Sequence, residues 1–148
     1  MKRIVVVLGG NAFASPGQRL TMQGQLRFAH EALQNLLPLL RPDTQLLLSH
    51  GNGPQVGQML TRVESAIGKA YPLPLEVCVA ESEGELGYVL QQALFNVLAE
   101  RGLSRTSTVL LSQVEVQGDD PAFANPTKPV GVFYDADDAA RLAASGFV

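Results

Sequence analysis

The spacing of apolar and polar positions along this chain changes period several times, and each change marks an element. Ile4-Val5-Val6-Val7-Leu8 is a short apolar run rich in β-branched residues and reads as a buried strand. It leads into Gly9-Gly10-Asn11-Ala12 and a polar loop, Ser15-Pro16-Gly17-Gln18. Thr21 is placed to cap a helix whose apolar face is Leu26, Ala29, Leu33, Leu36, Leu37 and Leu40, with Pro38 kinking or ending it. Pro42-Asp43 turns the chain into a second apolar run, Gln45-Leu46-Leu47-Leu48-Ser49. Pro54 to about Ile67 returns to helical spacing, with Val56, Met59, Leu60 and Val63 on one side, until Pro72-Leu73-Pro74 breaks it. Residues 75–100 read as helical with interruptions near Gly84 and Gly87, and Gly102 is a C-terminal cap. Residues 106–113 read as a third strand, which 114–116 can extend. A loop covers 119–129, and Asp135 caps a short helix over 136–145 ending at Gly146. Strands alternating with helices predict an α/β fold, a mostly parallel sheet between helices joined by right-handed crossovers.

The strand ends carry the candidate chemistry. The second strand runs into His50-Gly51-Asn52-Gly53-Pro54-Gln55-Val56-Gly57, in which two glycines flank an asparagine. Glycine lets the backbone approach a ligand with no Cβ in the way. Pro54 suits the first turn of a helix, whose unpaired N–H groups and positive dipole end attract anions. Gly9-Gly10-Asn11 repeats the arrangement after the first strand, so two such turns form a paired cradle for phosphate or carboxylate at neighbouring strand ends. Read alone, either turn is equally a tight strand-to-helix connection. The repetition favours the ligand reading, in which fixed N–H donors stabilise charge spread over phosphoryl oxygens.

Composition narrows the class. With 148 residues, 46% hydrophobic and 17% charged, the chain suits one globular domain. A net charge of −3 and no long basic run give nucleic acid no electrostatic footprint. No apolar run approaches the roughly 20 residues of a membrane span. A single cysteine, Cys78, fits a reducing, cytoplasmic setting and a place in the core. No secretory signal is evident at the N-terminus.

Four blocks stand in the order found in carbamate kinases, which they resemble: Gly9-Gly10-Asn11-Ala12, His50 to Gly57, Gly84-Glu85-Leu86-Gly87-Tyr88, and Asp120-Pro121-Ala122-Phe123-Ala124-Asn125-Pro126-Thr127-Lys128-Pro129. These enzymes are a branch of the amino-acid kinase superfamily, and the resemblance runs nearly end to end. It implies the N-terminal part of that fold, a substrate-binding part with the start of a protruding, lid-like subdomain from about residue 119 to 148. Family members continue well past Val148, and that further part carries the nucleotide site. The implied reaction of the complete protein is ATP plus carbamate to ADP plus carbamoyl phosphate, reversibly, with Mg²⁺ accompanying the nucleotide. A homodimer and a role in arginine or purine-derived catabolism are implied with it. Gly9, Gly10, Asn11, Gly51, Asn52 and Gly53 would hold substrate, with Gly10, Asn11 and Lys128 catalytic. The alternative is a truncated, inactive anion-binding or assembly module lacking the ATP site.

Lys128 is by base rate a solvated lysine. Its flanking prolines stiffen the loop, however, and a compact ammonium held so suits a phosphoryl anion. The resemblance assigns it that charge-stabilising role. His50 reads as a structural donor to the turn, because a carbamate nucleophile is already an anion and needs no base. His30 reads as surface or packing. Asp119 and Asp120 are isolated turn residues, and no metal site is predicted. Two residues depart from the family: Glu83, where glutamine is usual, and Val132, where proline or a small residue is. Glu81, Glu83 and Glu85 make this helix start acidic, either complementing its dipole or weakening a nearby anion site.

Overall fold

The computed structural model describes residues 1–9, 13, 20–128, 130 and 134–144. Strands β1 (Lys2–Leu8) and β2 (Thr44–His50) form a parallel pair in register from Lys2 opposite Thr44 to Leu8 opposite His50. Between them lie helix α1 (Met22–Leu36) and a 3₁₀ turn over Leu37–Leu39, so the crossover is helical as the pattern requires. Helices α2 (Gly53–Ser65) and α3 (Leu75–Glu100), a 3₁₀ turn at Pro121–Phe123 and helix α4 (Ala136–Ala144) follow.

The predicted punctuation is present. Thr21 Oγ1 accepts the Gly24 N–H at 3.1 Å and caps α1. Pro38 converts the end of α1 to 3₁₀ geometry. Gly102, at φ +63°, ends α3 with a paired cap in which Leu103 N–H reaches Leu98 O and Gly102 N–H reaches Ala99 O. Asp135 Oδ1 accepts Asp138 N–H at 2.8 Å and caps α4. The predicted end of that helix at 145–146 and the loop over 15–18 lie outside the described residues.

The main core joins Leu8, Phe13, Ala29, Leu33, Leu86, Val89, Leu90, Ala93 and Val97, with Val6 and Leu48 from the strands against it. A smaller cluster of Met59, Val63 and Cys78 fastens α2 to α3. Burial there, with Glu81 nearby, pushes the Cys78 thiol above its ordinary pKa. No described helix is long and apolar enough to cross a membrane.

Four expectations need correction. β1 is not buried on both faces: Val5 is 66% and Val7 72% exposed. Alternate strand residues point to opposite faces, and the described helices cover only the Val6 and Leu48 face. The third strand over 106–113, with its extension to 116, does not form, since 103–117 carries neither helix nor strand. A strand needs a neighbour to bond, and this segment is instead held by side chains. Arg105 donates to Thr44 O and Arg41 O, Gln91 Nε2 donates to Ser107 O, and the Ser112 N–H donates to Glu83 Oε2. α3 is continuous through Gly84 and Gly87, because Gly87 admits the Val109 side chain rather than a bend. Finally, α3 starts at Leu75, so Glu81, Glu83 and Glu85 lie beyond the first turn, where the dipole effect has faded.

Candidate functional site at the end of strand 2

Parallel pairing brings the ends of β1 and β2 side by side. The Gly51 N–H donates to Leu8 O at 3.1 Å, so Gly9 and Gly51 leave the sheet from adjacent positions. An added Cβ at Gly9, Gly51 or Gly53 would meet nothing within 4 Å, so open space borders all three. Gly10 and Asn11, the rest of the first turn, lie outside the described residues, as does Val132.

At the second turn, Asn52 precedes α2 with φ −141° and makes no side-chain cap. Its carbonyl accepts both Gln55 N–H and Val56 N–H at 3.0 Å, so those donors turn inward. The backbone N–H groups of Asn52 and Gly53 bond to no described residue and are the donors left at this helix end. Asn52, Gly53, Pro54 and Val56 line a cleft of about 340 Å³, together with Leu75 and Val79 of α3 and Lys128 and Val130 of the later loop. The structure therefore sets Lys128 against the second Gly-Asn turn across 76 positions of chain (128 less 52). The cleft thus brings together the Lys128 side chain, the Asn52-Gly53-Pro54 turn and an apolar wall from Val56, Leu75 and Val79.

His50 takes the structural part expected of it. Its Nδ1 lies 3.3 Å from Gly51 O, and its ring meets buried Phe13 edge-on at 5.9 Å. His30 is a surface link between helices, 2.9 Å from Glu100 Oε1. That hydrogen bond, with the partner charge, holds the Glu100 carboxyl below its ordinary pKa. Glu83 does not line the cleft, because its carboxylate is taken by Ser112.

Sequence reading missed the polar framework behind the turn. Asn52 Nδ2 donates to Ser82 Oγ at 2.8 Å, and Ser82 is fully buried. Gln55 Nε2 donates to Gln25 Oε1 at 2.8 Å, and Gln25 Nε2 to Glu85 Oε1 at 2.9 Å. Arg62 sits 3.7 Å from the other Glu85 oxygen. This row ties α1, α2 and α3 together beneath the site. Its partners are more than 20 residues apart, so no local spacing announces them; a glutamine inside the Gly-Asn motif was the one available signal.

Known proteins share the sequence and the fold of this chain. No family-level sequence model matches the chain. A carbamate kinase of Lentilactobacillus hilgardii is 42% identical over 139 residues, 93% of this chain and 43% of that protein. A carbamate kinase of Pyrococcus furiosus is 39% identical over 146 residues, 96% of this chain and 46% of that protein. The chain is carbamate kinase-like. Carbamate kinase from Giardia lamblia bound to AMP-PNP superposes with a TM-score of 0.86 at 34% identity, across 98% of this chain and 46% of that one. This carbamate kinase-like chain thus spans less than half the length of the relatives it matches, and corresponds to their N-terminal part.

Proposed function

We propose that this chain forms the carbamate- and phosphoryl-binding part of a phosphotransferase that interconverts ATP plus carbamate and ADP plus carbamoyl phosphate. The observation that carries the reading is Lys128 lining one cleft with the Asn52-Gly53-Pro54 turn. A carbamate oxygen attacks the γ-phosphorus of ATP. The new O–P bond forms as the bond to the ADP oxygen breaks, and that electron pair leaves with ADP. The nucleophile is already an anion, so no side chain need take a proton, which agrees with a structural His50. The Lys128 ammonium stabilises charge on the transferring oxygens from one side of the cleft. The N–H groups of Asn52 and Gly53 act from the other, and Gly9, Gly10 and Asn11 of the adjacent turn complete the cradle. The described residues hold no group of three or more His, Cys, Asp or Glu suited to a metal ion. Mg²⁺ would arrive with the nucleotide and be held partly by its phosphates. The family resemblance supports a lid-like subdomain from about residue 119, a homodimer and a cytoplasmic role in arginine catabolism as parts of the same reading.

Formation of ATP from carbamoyl phosphate and ADP by the natural-length protein tests it. Lys128→Ala should lower kcat/KM by about 10²–10³-fold, the scale for losing one transition-state donor. A change under about threefold, with the fold intact, would remove Lys128 from the site.

A further inference from the structure

The Ser82 hydroxyl decides which end of the Asn52 amide meets the ligand. Ser82 Oγ lies 2.6 Å from Val79 O, a separation that two oxygens reach only with a proton between them. The hydroxyl has one proton, and Val79 O receives it, so Oγ can only accept from Asn52. The amide must then present Nδ2 to Ser82, as its 2.8 Å contact shows. The opposite orientation would set two acceptors against each other. The amide carbonyl oxygen, Oδ1, is thereby turned away from Ser82, and among the described residues it is neither partnered nor buried. Asn52 and Val79 both line the cleft shared with Lys128, so this orientation is set at the cleft wall. The result is an unpartnered hydrogen-bond acceptor on a residue that lines the cleft with Lys128.

We propose that Ser82 is a positioning residue that aims Asn52 Oδ1 into the cleft as an acceptor for a ligand N–H. Resting on the function proposed above, this makes the site selective for anions whose acyl group bears an amino group over isosteres bearing a methyl. Carbamoyl phosphate donates such an N–H and acetyl phosphate does not, although both bring the same phosphate to Lys128. A net hydrogen bond of ordinary strength is a preference of about tenfold. Ser82 touches no ligand in this scheme and acts only through Asn52.

The test is titration of the ¹⁵N-labelled chain with inorganic phosphate, acetyl phosphate and carbamoyl phosphate, in wild type, Ser82→Ala and Ser82→Thr. The wild type should bind all three, with carbamoyl phosphate about tenfold tighter than acetyl phosphate. Ser82→Ala should bring that ratio within about twofold and leave the inorganic phosphate affinity unchanged. It should also shift the Asn52 side-chain amide resonances toward those of a free amide. Ser82→Thr keeps the hydroxyl and should restore both ratio and spectrum. A Ser82→Ala protein that keeps its tenfold preference would overturn the positioning role. Wild type that binds phosphate with equal affinity for the two acyl phosphates would overturn the acceptor and leave the anion site standing. Failure of all three ligands to bind would overturn the anion site and this proposal together. The wild-type comparison stands even if neither variant folds.

Discussion

A methyl group added at Gly87 would sit 2.3 Å from Val109 Cγ1, well inside contact distance. Gly87→Ala must therefore displace Val109, and overpacking of this kind costs about 1–3 kcal/mol. We expect a lower melting temperature for Gly87→Ala, and recovery of most of the loss in Gly87→Ala/Val109→Ala, which opens the space again. An additive double mutant would show that the two positions do not meet. The sequence displays a glycine inside a helical pattern at this position, which reads as an interruption. The residue that fills the notch lies 22 positions on (109 less 87), in a segment whose path no local rule dictates. Asn52 repeats the lesson from the other direction. Its place in a Gly-Asn-Gly turn marks it as a candidate ligand group, yet the orientation of its amide depends on Ser82, 30 residues away.

Helix ends were the most legible elements, because capping is short-range chemistry. Thr21, Gly102 and Asp135 all act within a few residues of themselves. Links between elements were not legible. Tyr134, just ahead of α4, donates its hydroxyl to Glu64 near the end of α2. That hydrogen bond to the carboxylate, together with burial, pushes the Tyr134 pKa up to about 12. The neutral phenol is the favoured form, so the link adds stability below the ordinary tyrosine range and loses it as pH rises toward about 12. Ultraviolet titration of the phenolate should resolve one of the three tyrosines near pH 12. That component should disappear in Tyr134→Phe and move toward the ordinary value in Glu64→Gln. A Tyr134 that ionises in the ordinary tyrosine range would break the proposed link.

Across the whole molecule, the sheet is apolar on both faces but covered on one. Val5, Val7 and Leu47 stand exposed among the described residues, opposite the face that packs on α1 and α3. Substitutions there should change the stability of this chain little, within about 0.5 kcal/mol, since no packing is lost. Val7→Thr and Leu47→Thr should hold the melting temperature while raising solubility. A fall of several degrees would mean that this face is packed in solution. By itself the sequence determined the alternation of strands and helices, the caps, and the Gly-Asn turns at adjacent strand ends. These follow from backbone sterics, hydrophobic period and short-range hydrogen bonding, which act over a few residues. Tertiary structure alone decided that Ser82 orients Asn52 and that residues 106–116 lie against side chains instead of joining the sheet. Each depends on groups far apart in the chain, and a strand or a site exists only where folding supplies its partner.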